Sequence, residues 1–312
     1  MKIIFFGTAE ISKYFLQNID EKHEIVSVIT MCDKPVGRAN KIKAPAVKEF
    51  AAKKNIPYIQ VDKFTDEIAE KIKKLNADVG VVVSFGKIIP EKIFMLPKYR
   101  CFNIHFSLLP EYRGASPVQK ALIDGCKKTG VTSFYIEKGL DTGDILLQKE
   151  LNIEDNDTSE TLFAKLSSLG VDIMNETLDL LEKGQVSAQK QKGEPSFCPI
   201  FTKENAKVDW NKTAAEIYNS YRGFYLWPKI FCIVSDGRMA GKKMKILECC
   251  VVKDLSDKAP GTIIEIKKGI GFVVKCKENA LLITKVQPES KAQMSAFDFV
   301  NGAQLKPESR LS

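Results

Sequence analysis

Histidine is the scarcest reactive residue in this chain of 312 residues, which contains only His23 and His105. Two histidines are too few for a zinc site of the usual composition. The eight cysteines offer no alternative, because no two of them form a C-x-x-C pair and their spacings are irregular. Since the chain begins without a recognisable export signal, we expect reduced thiols and no metal site.

Long hydrophobic runs are also missing. No stretch approaches the roughly 20 apolar residues that a membrane helix needs, and the apolar run at 3–6 is too short for a signal peptide. Hydrophobic residues make up 44% and charged residues 28% of the chain, which excludes a collagen-like or disordered protein. These features predict a cytoplasmic protein with no membrane partner, and the length predicts about two domains.

The first half of the chain alternates apolar runs with helical patterns. Strands are predicted at 2–6, 24–30 and 77–85, and the spacing of apolar residues at 66–75 predicts an amphipathic helix. Such alternation indicates right-handed βαβ units in a mostly parallel, Rossmann-like sheet with helices on both faces. No G-x-G-x-x-G follows the first strand, so the dinucleotide fingerprint is absent.

The last third of the chain differs in pattern and in charge. A helical stretch at 213–222 precedes five short strand-like runs, which predict a small barrel or sandwich, and an OB-like barrel suits a basic nucleic-acid module. From Lys207 onward, 18 Lys and Arg stand against 11 Asp and Glu, so nearly all of the net charge of +8 lies here. A basic module suggests a polyanion partner, nucleic acid ahead of a membrane surface, although a solvated lysine-rich surface explains the charge equally well.

These two textures predict the domain organisation. A Rossmann-like domain is expected at 1–188 and a basic, OB-like domain at 207–312. Between them, 189–206 is expected to be a linker, because its first part is polar and contains Gly193 and Pro195.

The residues best suited to chemistry lie near the end of the first half. Asn103 and His105 are two residues apart on a predicted strand, so both side chains face the same side. Ligands of an open parallel sheet bind beyond the carboxyl ends of the strands, where an amide and an imidazole can hold an oxyanion and move a proton. Asp141 follows in the Gly-flanked turn 139–144 and is expected to set the tautomer and charge of His105.

A basic loop at 33–44 forms a second candidate site. Its cations are Lys34, Arg38, Lys41 and Lys43. Four cations near strand ends suit phosphate contacts, with a solvated basic loop as the alternative. Arg38 is the strongest candidate of the four, because a guanidinium can engage phosphate or stack on a base.

Several stretches of the chain resemble a known family of enzymes. In the first half they are 4–8, 103–119, 129–132 and 139–144. They are similar to folate-dependent formyltransferases in general. In the second half they are 208–210, 222–228 and 294–299. With the overall length, these resemble the methionyl-tRNA formyltransferase family in particular. Phe106 departs from the pattern, because that family usually has a small residue between the histidine and the serine.

The resemblance implies transfer of the formyl group of 10-formyltetrahydrofolate to the α-amino group of methionyl initiator tRNA, for translation initiation. It implies that Asn103, His105 and Asp141 are catalytic. The residues it assigns to the folate donor are Ser107, Leu108, Leu109 and Pro110. The residues it assigns to tRNA are Lys34, Arg38, Lys41 and Lys43, together with the OB-like domain. A monomer without a metal is expected.

Two other functions fit parts of the sequence. One is a folate-dependent formyltransferase for a small amine, such as a nucleotide-sugar or glycinamide ribonucleotide, which shares the N-terminal chemistry but needs no basic module. The other is a non-enzymatic RNA-binding protein on a decayed enzyme scaffold. The intact Asn103, His105 and Asp141 argue against the second.

Overall fold

The computed structural model describes residues 1–36 and 40–312. In chain order the strands are β1 (Lys2–Gly7), β2 (Glu24–Met31), β3 (Lys34–Val36), β4 (Lys41–Lys43), β5 (Tyr58–Val61), β6 (Val79–Val83), β7 (Cys101–His105), β8 (Arg113–Gly114), β9 (Lys128–Tyr135), β10 (Ile145–Asn152), β11 (Phe197–Cys198), β12 (Phe231–Ile233), β13 (Lys243–Val252), β14 (Ile263–Lys267), β15 (Gly271–Lys275), β16 (Ala280–Pro288) and β17 (Met294–Ser295). The α-helices are α1 (Glu10–Gln17), α2 (Ala46–Lys53), α3 (Asp66–Lys74), α4 (Glu91–Phe94), α5 (Pro117–Ile123), α6 (Ser159–Glu182), α7 (Ala214–Gly223) and α8 (Ala296–Ala303). Within the described ranges, no helix combines the length and hydrophobicity needed to cross a membrane.

The chain divides into two compact units. The first consists of Met1–Gly114, Lys128–Asn152 and Ala164–Cys198. The second consists of Ala115–Lys127, Ile153–Phe163 and Pro199–Ser312. The first unit therefore reaches ten residues into the stretch 189–206 that composition suggested as a linker.

A seven-stranded sheet organises the first unit, in the order β10-β9-β7-β6-β1-β2-β5. The five strands from β7 to β5 run parallel, while β9 pairs antiparallel with β7 and β10 antiparallel with β9. The mostly parallel, Rossmann-like sheet confirms the sequence-based prediction. The pattern did not predict β10, whose side chains alternate between more and less exposed positions, as in an edge strand.

Both faces of this sheet are covered. Ile4 and Phe6 of β1 pack with Ile72 of α3 in one apolar cluster. Ile3 and Phe5 alternate with them along the strand and are also fully buried. Since successive side chains of a strand point to opposite faces, burial of all four requires cover on both faces, which explains the continuous apolar run at this position.

The carboxyl end of β1 is tied to that of β6 through the first helix. Ser12 of α1 donates its hydroxyl to the carbonyl of Val83 at 2.7 Å and accepts from the N–H of Thr8 at 3.1 Å. Gly7 allows this close approach, because a Cβ there would lie 2.6 Å from that of Ser12. The carboxyl edge of the parallel strands is thus held at the place where ligands of such sheets bind.

The second unit contains an antiparallel sheet in the order β12-β13-β16-β15-β14, with β17 beside β16. The C-terminal residues lie between its two edges. The N–H of Ile233 donates to the carbonyl of Ser312 at 2.6 Å, and that of Leu311 donates to Gly261 at 2.8 Å. The sheet is closed on itself through this segment.

Two segments that precede residue 199 in the chain pack within this second unit. Gly223 of α7 lies so close to α5 that a Cβ there would be 2.6 Å from Cγ1 of Ile123. Arg222 donates from Nη1 to the carbonyls of Glu154 and Asp155, at 3.0 and 3.2 Å. These contacts join residues far apart in sequence, so the composition of each segment carries no sign of them.

Candidate active site

His105 lies at the carboxyl end of β7, with its side chain 7% exposed. Its Nε2 is 2.9 Å from the backbone carbonyl of Tyr112. Since a carbonyl can only accept, Nε2 carries a proton and donates it, and Nδ1 is the nitrogen that faces Asp141. The Tyr112 carbonyl therefore sets the tautomer, a role that the sequence pattern had assigned to Asp141.

Asp141 faces His105 from the turn that follows β9. Its Oδ2 lies 3.8 Å from Nδ1 of His105, too far for a hydrogen bond but within ion-pair range. The same oxygen accepts the N–H of Gly114 at 2.8 Å. Asp141 has a φ of +53°, a left-handed conformation that is uncommon for residues with a side chain. The carboxylate is thus placed to balance positive charge on the ring of His105 when that ring is protonated.

Asn103 lies on the same strand as His105, as the sequence predicted. It lies on β7 opposite Val82 of β6 and Phe134 of β9 and is partly exposed. Because it stands two residues before His105 on the same strand, both side chains share one face of the sheet. The site therefore presents an amide and an imidazole together, with the carboxylate of Asp141 facing Nδ1 of the imidazole.

The loop after β7 contains the four residues assigned to the folate donor. Ser107 is fully buried and Leu109 is 3% exposed, so their side chains shape the loop. Thr132 of β9 holds both, because its hydroxyl donates to the carbonyl of Ser107 at 2.7 Å and accepts from the N–H of Leu109 at 3.2 Å. Leu108 and Pro110 are partly exposed and offer the accessible side chains of the loop.

Phe106 is accommodated in the core. Its ring centre lies 6.2 Å from that of Phe15 in α1. Gly170 of α6 makes room for both rings, because a Cβ there would lie 2.6 Å from Cζ of Phe15 and 3.2 Å from Cε1 of Phe106. The large side chain is 8% exposed, so its volume is taken up beneath α1 and α6.

A polar segment after α6 runs alongside the site. Nε2 of Gln191 donates to the backbone carbonyls of Asp141 and Gly143, at 2.8 and 2.9 Å. Its Oε1 accepts from Nε and Nη2 of Arg113, at 3.2 and 2.6 Å. Sequence reasoning missed these contacts, because a polar stretch without periodicity resembles a linker and nothing local marks its partners.

The basic loop 33–44 contains a short hairpin. β3 and β4 pair antiparallel, with Lys34 opposite Lys43, and both lysines are exposed. Arg38 lies outside the described residues, and so does the side chain of Lys41. Two of the four predicted cations are thereby found side by side on one small ribbon.

Asp33 anchors the base of this hairpin. It accepts from Nζ of Lys48 at 2.8 Å and from Nε2 of Gln60 at 2.7 Å. The hydrogen bond from Lys48 holds the pKa of Asp33 below its usual value. Lys48 belongs to α2 and Gln60 to β5, so the hairpin starts from a fixed point on the first unit.

All eight cysteines are free thiols. Cys101 and Cys232 are completely buried, and burial raises the pKa of both, that of Cys232 to about 12. A thiol with so high a pKa is not ionised near neutral pH and is a poor nucleophile. These two cysteines therefore serve packing.

One group of side chains in the described part of the chain could hold a metal ion, namely His23, Asp179 and Glu182. Nζ of Lys22 already lies 2.6 Å from Oδ1 of Asp179. The amino group of Met1 lies 3.3 Å from Oε1 of Glu182. Because both carboxylates already have cationic partners in the protein, the group gives no support for a metal site.

Two family models match the chain. The model described as "Formyl transferase" matches residues 1–178, and "Formyl transferase, C-terminal domain" matches residues 200–304. Among curated proteins, the methionyl-tRNA formyltransferase of Endomicrobium trichonymphae is 48% identical over 311 residues, covering 99% of this chain and 100% of the relative. That of Thermodesulfovibrio yellowstonii is 41% identical over 305 residues, covering 97% and 96%.

Solved structures resemble the chain at lower identity. WlaRD, a sugar 3N-formyl transferase crystallised in the presence of dTDP and 5-N-formyl-THF, matches with a TM-score of 0.65 and 23% identity, over 94% of this chain and 99% of its own. HypX from Aquifex aeolicus in complex with tetrahydrofolic acid matches with a TM-score of 0.64 and 15% identity, over 99% of this chain and 48% of its own. At these identities the similarity concerns the fold.

Proposed function

Because the chain belongs to the methionyl-tRNA formyltransferase family, we propose that it transfers the formyl group of 10-formyltetrahydrofolate to the α-amino group of methionyl initiator tRNA. The product is N-formylmethionyl-tRNA, which serves translation initiation. The observation that carries the proposed chemistry is the 3.8 Å separation of His105 Nδ1 and Asp141 Oδ2, at the end of the strand that also carries Asn103.

These three residues suit attack by an amine on a formyl carbon. The neutral amine forms a C–N bond and gives a tetrahedral intermediate with an anionic oxygen and a cationic nitrogen. The amide of Asn103 and the protonated Nδ1 of His105 donate to that oxygen, and removing one such donor in other enzymes costs about 2.7–4 kcal/mol. Asp141 balances the charge of the imidazolium.

Collapse of the intermediate completes the transfer. The bond between the formyl carbon and N10 of the folate breaks, and a proton passes from the attacking nitrogen to N10, through a water oriented by Asp141. The C=O double bond of the formyl group re-forms, and its oxygen loses the negative charge that held it to Asn103 and His105. These steps require neither a covalent nucleophile nor a metal ion.

The folate donor is assigned to the loop of Ser107, Leu108, Leu109 and Pro110. Gln148 of β10 supports this assignment by fixing the loop, because its Nε2 donates to the carbonyl of Leu109 at 3.1 Å and to the hydroxyl of Thr132 at 2.7 Å. A loop held from a neighbouring strand presents a preformed surface and loses little entropy when it binds a ligand.

The acceptor tRNA is assigned to the second unit and to the cations of the basic loop 33–44, namely Lys34, Arg38, Lys41 and Lys43. The excess of positive charge at 207–312 supports this, and so does the closed antiparallel sheet of the second unit, which suits an OB-like domain. Trp227 is 50% exposed, and Nζ of Lys229 lies 4.0 Å from the ring centre of Tyr225. Cations suit phosphates and exposed aromatic rings suit unpaired bases. We propose that the enzyme acts as a monomer in the cytoplasm.

An acceptor assay tests the proposed function. Labelled formyl is supplied on 10-formyltetrahydrofolate, and methionyl initiator tRNA is compared with an amino-sugar nucleotide, glycinamide ribonucleotide and free methionine. Uncharged initiator tRNA is the control, because it has the polyanion but no α-amine. We expect transfer to methionyl-tRNA alone. Faster transfer to a small amine would assign the chain to the other branch of the family, and no transfer to any acceptor would leave only an RNA-binding function.

A further inference from the structure

Gln191 joins two parts of the active site through one side chain. On one side it donates to the main chain of the turn that carries Asp141, and on the other it accepts from Arg113. We propose that Gln191 is a positioning residue for formyl transfer, which fixes the carboxylate of Asp141 against His105. The proposal rests on the catalytic role proposed above for Asp141.

The turn at Asp141 needs such a fixed point. Its left-handed φ of +53° is sparsely populated by residues with a Cβ and persists only where the surroundings hold it. Two contacts do so: Gln191 binds the carbonyl of Asp141, and the N–H of Gly114 binds its carboxylate. The first fixes the main chain and the second fixes the end of the side chain, so the carboxylate is defined from both ends.

Arg113 stands between the two backbone groups that orient the catalytic pair. The carbonyl of Tyr112 holds Nε2 of His105, and the N–H of Gly114 holds Oδ2 of Asp141. Oε1 of Gln191 accepts hydrogen bonds from both Nε and Nη2 of Arg113. Gln191 thereby ties the segment 112–114 to the turn of Asp141. The distance between His105 and Asp141 therefore depends on two links between this segment and the turn, the direct bond from Gly114 and the bridge through the amide of Gln191.

The backbone that carries Gln191 is itself anchored. Gln189 and Ile145 exchange two hydrogen bonds of 2.8 and 2.9 Å, immediately beyond the turn. Further along, β11 pairs in parallel with β8, which contains Arg113. Gln191 lies between these two attachments, so its backbone has little freedom. Its side chain can therefore hold the turn of Asp141 at a fixed distance from Arg113.

Glutamine is suited to this task by its donor and acceptor pattern. Its NH2 supplies two donors for two carbonyls, and its oxygen has two lone pairs for a guanidinium. In Gln191→Glu, the acceptor for Arg113 remains, but both donors are lost and a carboxylate oxygen faces the carbonyls of Asp141 and Gly143. In Gln191→Leu, the donors and the acceptor are all lost. Lys192 is exposed on the same segment and provides the matched control.

The experiment measures steady-state and single-turnover formyl transfer to methionyl initiator tRNA. Both Gln191 variants are expected to lower kcat about 10- to 100-fold, because displacing a catalytic group by about 1 Å can cost that much. The KM values for folate donor and tRNA should stay within about twofold, and Lys192→Ala should match the wild type. Thermal unfolding identifies a variant that fails to fold, and Gln191→Glu then replaces Gln191→Leu.

A double-variant cycle separates positioning from a merely structural role. If Gln191 acts through Asp141, adding the Gln191 substitution to Asp141→Asn changes the single-turnover rate by less than about twofold. The same loss in both backgrounds, or wild-type kcat in both Gln191 variants, would overturn the proposal. Full activity of Asp141→Asn itself would instead overturn the catalytic role of Asp141.

Discussion

The backbone carbonyl of Tyr112 accepts a hydrogen bond from Nε2 of His105 at 2.9 Å. This contact commits one ring nitrogen to the protein, so the nitrogen that can meet the substrate is Nδ1, on the side of Asp141. Tyr112 itself has a φ of +55°. The orientation of the His105 imidazole is therefore fixed by the main-chain carbonyl of a residue in an uncommon backbone conformation.

Asn103 should act on the transition state. We expect Asn103→Ala to lower kcat about 100- to 1,000-fold with little change in the folate KM, because the oxyanion exists only after attack. Asn103→Asp is the matched variant, since it keeps the shape and replaces the donor by an acceptor. It should be impaired at least as strongly. A normal kcat with a raised folate KM in either variant would show that Asn103 only binds the folate and does not stabilise the transition state.

Phe106 should contribute to stability. Phe106→Ala removes a buried ring beside Phe15 and should lower the free energy of unfolding by about 3–5 kcal/mol. Phe106→Leu, which keeps more of the volume, should cost much less. Denaturant unfolding gives the stability, and folate KM gives the effect on the site. A nearly unchanged stability combined with a large change in KM would mean that the ring belongs to the folate pocket.

The basic loop 33–44 should bind tRNA through its charge. Arg38→Ala, and separately the pair Lys34→Ala and Lys43→Ala, should weaken tRNA affinity while leaving folate binding unchanged. Each lost phosphate contact should flatten the log–log salt dependence by about 0.7–0.9. Lys53→Ala, at the exposed end of α2, is the control. If Arg38 stacks on a base, the loss of tRNA affinity in Arg38→Ala will persist at high salt. An unchanged affinity of every variant at every salt concentration would exclude the basic loop 33–44 as a tRNA contact.

His23 should make stability depend on pH. Burial lowers its pKa below the usual value, so the folded state favours the neutral ring. The unfolded chain binds the proton near pH 6.5, and stability is therefore lost as pH falls below that value, by at most about 1.4 kcal/mol per pH unit. Between pH 7.5 and 5.5, the free energy of unfolding should change less with pH in His23→Gln than in the wild type. Parallel curves would show that His23 does not titrate differently on folding.

The sequence was informative where the local pattern and the tertiary environment agree. The apolar run of β6 is buried throughout, as the pattern predicted for a central parallel strand. Asn103 and His105 share a face of β7 because the period of a strand is two, and the same spacing had marked them as candidates. The mostly parallel sheet followed from the alternation of such strands with helices.

Other features could not be predicted, because they depend on contacts between distant segments. Nothing in the composition of 115–127 shows that α5 packs against Gly223 in the second unit. The Tyr112 carbonyl accepts a hydrogen bond from the ring of His105, and the amide of Gln191 donates to the carbonyl of Asp141, 50 residues away in the sequence. Such bonds leave no periodic signal in the sequence. The pattern therefore gave Asn103 and His105 as candidates, but it gave no indication of Tyr112 or Gln191, which orient the site.

Single-turnover formyl transfer by Asp141→Asn tests whether the carboxylate that faces His105 is needed for catalysis. An asparagine can still accept the N–H of Gly114, so the substitution removes the charge that faces His105 and keeps the shape of the turn. The measurement follows labelled formyl from 10-formyltetrahydrofolate to methionyl initiator tRNA at saturating concentrations, with both affinities determined separately. We expect the wild type to transfer the label and the variant to be at least about 100-fold slower, with unchanged affinities for folate donor and tRNA. Transfer by the variant at the wild-type rate would contradict this expectation.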